Sequence, residues 1–109
     1  MTLQDAARRL LKSCLRRYIL LALVEKFPEQ AWPAQADVEA GIEESAWEDW
    51  KRTRLLYPLP EALAALQGAL EDAILYARET FDGVGEDEWL VDRLQSFVTQ
   101  FKIVKYLDA

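Results

Sequence analysis

The stretch from Leu59 to Phe81, LPEALAALQGALEDAILYARETF, constrains the fold more than any other part of the chain. Its apolar residues Leu59, Leu63, Leu66, Leu70, Ala73, Ala77 and Phe81 alternate fours and threes, which holds them on one face of an α-helix. A second row at Ala62, Ala69, Ile74 and Tyr76 widens that face, so the helix is expected to bury against more than one neighbour and to lie near the centre of the fold. Pro60 and Glu61 suit its first turn. Gly68, inside it, costs about 1 kcal/mol relative to alanine and predicts a close helix crossing at that point.

The other segments carry the same period. Thr2 with Asp5 three residues on is a capping-box pattern, and Leu3, Ala7, Leu10, Leu11, Cys14, Tyr18, Leu21 and Ala22 form the stripe of a first helix that becomes apolar all round between Ile19 and Val24. Phe27-Pro28 ends it. Residues 28–36 hold two prolines and Trp32 and read as a connection. A weaker helical pattern then resumes through Val38 and Ile42, and Ser45 followed by Glu48 predicts a fresh helix from Ala46 to Leu56, so this region is either one kinked helix or two short ones. Pro58-Leu59-Pro60 closes it. Asp82-Gly83-Val84-Gly85 predicts a tight turn with Gly83 as a left-handed cap. After it, Glu86, Asp87 and Glu88 suit a helix N-terminus. A last amphipathic helix follows with the stripe Leu90, Leu94, Phe97, Phe101, Val104 and Leu107. No segment alternates with period two. The expectation is therefore one all-α domain over residues 1–109, a mostly antiparallel bundle of four to five helices with no sheet.

Composition excludes much chemistry. With no histidine the chain lacks the usual general base and the usual ligand for zinc, copper or haem. The lone cysteine, Cys14, lies on the apolar stripe of the first helix and reads as a small buried hydrophobe. The glycines, Gly41, Gly68, Gly83 and Gly85, are too scattered for a phosphate-binding loop. Glu39, Glu43, Glu44 and Glu48 at helical spacing, with Glu79 and Asp82 on another segment, are the one carboxylate set that could hold magnesium. In that arrangement they resemble the all-helical nucleotide pyrophosphohydrolases of the MazG kind, over less than half of the chain and without that family's Glu-Glu-x-x-Glu spacing. The resemblance implies a magnesium-dependent hydrolase as a remote alternative. The expectation from the residues themselves is no enzyme, no cofactor and no metal.

The apolar run Tyr18 to Val24, preceded by Arg16 and Arg17 and followed by Ala34-Gln35-Ala36, imitates a signal peptide, but Glu25 and Lys26 interrupt its exit. That run spans seven residues, too short for a membrane span. No membrane association and a cytoplasmic location are expected.

Charge is divided along the chain. Residues 1–26 carry six cations against two carboxylates, a local excess of +4, which leaves −10 for the remainder of a chain whose net charge is −6. Arg8, Lys12 and Arg16 follow at i, i+4, i+8 with Arg9 and Arg17 beside them, a ridge suited to phosphate or to pairing with the acidic segment 37–49. Trp47 and Trp50 are neighbours at i, i+3, with Lys51 and Arg54 four residues beyond each, so cations can cover both rings. Tryptophan and arginine dominate protein interfaces, which makes Trp47, Trp50, Arg54 and Trp32 the expected partner-binding residues. The leading expectation is a non-enzymatic protein-interaction module (an adaptor, inhibitor or assembly subunit) that grips a protein partner or forms a homodimer. The alternative is a small subunit of a nucleoprotein complex using Arg8, Arg9, Lys12, Arg16 and Arg17.

Overall fold

The helical stripes of the sequence fold as helices, and their order is that of the chain. The computed structural model describes residues 1–29, 32–81 and 87–107. They form α1 (Leu3–Lys26), α2 (Trp32–Arg54), α3 (Leu59–Thr80), α4 (Asp87–Gln100) and the short α5 (Ile103–Leu107). The fold is an all-α bundle, 88% helical, with no strand among the described residues. The expected turn at 82–85, with Gly83 and Glu86 around it, lies outside the described residues.

The start of α1 follows the capping pattern. Thr2 is extended, at φ −78° and ψ 163°, and its hydroxyl accepts the Asp5 amide at 3.1 Å. At the other end the Phe27 amide donates to Leu23, and Pro28 prevents continuation. Buried residues are spread over several faces of this helix: Ala6, Leu10, Leu15, Ile19 and Leu23 are all enclosed. The reason is its position. α1 packs against both α2 and α3, with α4 lying along its C-terminal half. It runs antiparallel to α2, since Arg9 meets Asp49 and Arg16 meets Glu39, and parallel to α3, since Arg8 meets Asp72 and Arg16 meets Tyr76. The central helix is therefore α1, which corrects the expectation that residues 59–81 take that place.

α3 flanks α1 with a small-residue face. Ala62, Ala65, Leu66, Ala69, Ala73 and Ala77 are buried, and their short side chains bring the α3 backbone close to α1. Leu59 and Leu63, read from the sequence as core, are exposed. Gly68 marks no crossing: a Cβ built on it meets nothing within 4 Å.

α2 is one continuous helix, so the expected restart at Ala46 does not occur. Ser45 sits mid-helix and accepts a hydrogen bond from Arg9 at 3.1 Å instead of capping. Glu39, Glu43 and Asp49, on the middle turns of this helix around Gly41, are held by cations of α1.

The last helix also departs from its stripe. It stops at Gln100, and α5 restarts at Ile103, leaving Val104 exposed. No proline or glycine causes this break. It turns Tyr106 inward, where tertiary contacts hold it.

Candidate functional site

Three surfaces compete for a functional role: the tryptophan segment, the cation row of α1, and the apolar surface the bundle leaves open.

Trp50 is fully enclosed, and its indole N–H donates to the Tyr106 carbonyl at 2.8 Å. It is a core residue, which corrects its expected place among partner-binding residues: a ring with no exposed atoms has no face to offer. Trp47 is half-buried, with Tyr106 against it edge-on at 5.0 Å between centroids, and Lys51 covers it at 5.4 Å as the spacing predicted. Trp32 packs half-buried against the core, and its indole N–H has no hydrogen bond among the described residues. Arg54 is half-buried and engaged within the fold.

The node of this region is Tyr106. Its ring stacks on Phe101 at 5.2 Å, and Phe101 continues through Phe97 to Tyr18, an aromatic chain across the bundle. Its hydroxyl lies 3.6 Å from the Cys14 thiol, which donates to Glu43 at 3.7 Å. Burial, with the Glu43 carboxylate beside it, pushes the Cys14 thiol up to about 12. Burial, with Cys14 next, likewise raises the Tyr106 hydroxyl. A neutral, enclosed thiol is no nucleophile. Sequence reasoning missed Tyr106 because nothing local marks it; only the turn at Phe101-Lys102 brings it to Cys14.

The cation row is occupied internally. Arg8 pairs with Asp72 at 3.0 Å, Arg9 with Asp49, Arg16 with Glu39 at 2.9 Å and Arg17 with Glu43 at 3.4 Å, while Lys12 lies over the Tyr76 ring at 5.1 Å. These residues stitch the basic central helix to its two acidic neighbours. A phosphate polymer would have to break those pairs while meeting the carboxylates that now make them. The carboxylates considered for magnesium are dispersed in the same way: Glu39, Glu43 and Glu48 each hold a cation, and Glu79 is exposed on α3. Among the described residues no three metal-ligating groups converge, and no described helix is long and apolar enough to cross a membrane.

What remains open is apolar. At the α2–α3 turn Leu55 is 73%, Leu56 81% and Leu59 55% exposed, with Tyr57 and Leu63 adjoining. This run was visible in the sequence as three apolar residues between the cationic end of α2 and two prolines. Further along α3, a groove of about 380 Å³ opens between α3 and α4, with Ile74, Val91, Leu94 and Val98 in its lining. The chain matches no protein-family model, no curated protein and no solved structure.

Proposed function

We propose that this chain is a non-enzymatic protein-interaction module whose contact surface is the leucine-rich end formed by the α2–α3 turn. The observation that carries the reading is the exposure of Leu55, Leu56 and Leu59 side by side on a chain with an otherwise well-filled core. Single exposed leucines need no explanation, but a contiguous group marks an interaction site. The alternatives draw on groups already engaged: the four arginines of α1 are bound to carboxylates, Lys12 lies over the Tyr76 ring, and the one thiol is neutral and enclosed. Trp47, half-buried on an adjoining turn of α2, stands at the rim of such a contact.

A photo-crosslinking residue placed at Leu56 in the native host tests it. The expected outcome is one discrete crosslinked protein, or the chain's own dimer, together with loss of that product in Leu55→Glu and Leu59→Glu variants that keep full helicity. Crosslinking that survives both substitutions would overturn the proposed surface.

A further inference from the structure

The side of α3 opposite its buried alanines has a spacing of its own. Glu61, Ala64, Gly68, Glu71, Leu75 and Arg78 follow at threes and fours, and all six are exposed. Leu75 is 58% exposed. At the N-terminal half of this line a groove of about 290 Å³ opens between α1 and α3, with Ala64, Gly68 and Arg8 in its lining. Nothing within the chain fills the space at Gly68, where a Cβ meets no atom within 4 Å. Glycine there weakens the helix and gains no close contact inside the fold.

The line is complementary to itself when reversed. With a second copy set antiparallel and the two-fold axis between Ala69 and Leu70, Glu61 faces Arg78, Ala64 faces Leu75 and Gly68 faces Glu71, each pairing made twice. Glu61 and Arg78 make no ion pair among the described residues, so both charges are open to the other copy. Leu75 is the knob, and the short side chains at Ala64 and Gly68 leave the hole. Glu71 arrives over Gly68, at the groove that Arg8 lines. A parallel pair would instead set Glu61, Glu71 and Leu75 each against its own copy, so that like charges meet and the groove stays empty. The occupant that fits both the steric and the charge order of this face is therefore the face itself.

We propose that the chain forms a two-fold homodimer through the outward face of α3, the two helices antiparallel, with Leu75 of each copy in the α1–α3 groove of the other and Glu61 paired with Arg78. This contact is separate from the leucine-rich end, since Leu59 and Leu63 share the line of Leu66 and Leu70 on a different face of the helix. One helix face per copy is a small interface, so the dimer is expected to dissociate at about micromolar concentration or above.

Sedimentation equilibrium of the full chain, from about 5 to about 500 μM, reads the association constant. A monomer–dimer equilibrium is expected, and a chain that stays monomeric throughout overturns the proposal. Glu61→Arg and Arg78→Glu are each expected to weaken association about tenfold, and the two together to restore it to within about threefold of the parent chain. Positions 61 and 78 lie about 26 Å apart on one helix, so coupling between them acts across copies. Each single substitution also puts the unfavourable charge at an end of α3, and the double variant compounds that effect, so helix stability does not imitate the rescue. Additive weakening in the double variant overturns the proposal. Gly68→Leu, at a position with open space, is expected to keep the urea midpoint near that of the parent chain and to weaken association about tenfold; unchanged association overturns the groove as the seat of Leu75. If association is lost in Leu55→Glu and ignores Gly68→Leu, this dimer fails and the leucine-rich contact stands. If association follows Glu61 and Arg78 while nothing crosslinks at Leu56, the dimer stands and that contact fails.

Discussion

Cys14 illustrates how a single residue changes meaning once its neighbours are known. On the sequence it is an apolar-stripe thiol; in the fold it sits against Tyr106 and Glu43 in a site that holds it neutral. Both Cys14 and Tyr106 keep their protons in the folded chain at a pH where the unfolded chain releases them. The stability they contribute is complete below pH 9.0, the ordinary value of the thiol, and is lost as pH rises from there towards about 12. Cys14 accounts for about 1 kcal/mol per pH unit in that window. Urea unfolding measured between pH 8 and 10.5 is expected to show this decline, and Cys14→Ala to flatten it. Iodoacetamide should label the native thiol at pH 8 far more slowly than the urea-unfolded chain; equal rates would contradict the enclosed site. Trp50 teaches a related lesson. Its expected role at a surface came from the average habits of tryptophan, whereas in the fold its ring is enclosed in the core and its N–H reaches the Tyr106 carbonyl, more than fifty residues away.

Among the elements, the ends were legible and the interiors less so. Thr2, Phe27-Pro28 and Pro58-Leu59-Pro60 bound α1 and α3 as the local chemistry of caps and prolines requires. Ser45 misled because a serine followed by a glutamate three residues on is compatible with a helix interior when its hydroxyl is taken by Arg9. The same limit applies to Gly68. A glycine within a helix suggests a close approach, but here the tight packing of α3 on α1 is made by alanines, and Gly68 faces open space. Gly68→Ala is therefore expected to stabilise the chain by about 1 kcal/mol, through helix propensity and a less disordered unfolded state, and to raise the melting temperature by several degrees. A destabilised variant would mean that the position is crowded.

For the whole molecule the decisive feature is that α1 touches α2, α3 and α4, so no part of the bundle has a core of its own. Unfolding is expected to be a single transition in which far-UV circular dichroism and tryptophan fluorescence coincide, since Trp47 and Trp50 lie on α2 while Trp89 lies on α4. Separated transitions would show that α4 and α5 form an independently melting unit. The same centrality explains the charge layout. A helix with an excess of cations becomes the axis of an acidic chain because its arginines are long enough to bury their stems while their heads reach carboxylates on both sides. Outside that axis, the leucines exposed at the α2–α3 turn form the surface on which the proposed contact rests.

Apolar period, caps and prolines are local, and by themselves they determined the helical class, the absence of a sheet among the described residues and the main boundaries of α1 and α3. The division of charge along the chain left open whether the basic ridge would meet phosphate, solvent or the acidic segment 37–49, and the tertiary structure made that choice. The tertiary structure alone decided which helix lies at the centre, that Leu59 and Leu63 stay outside while alanines go in, and that α5 turns back to seat Tyr106 against Cys14 and Trp50. These choices depend on side-chain volume summed across several helices. Burying the alanine face of α3 lets two backbones approach, and no count along a single helix contains that comparison.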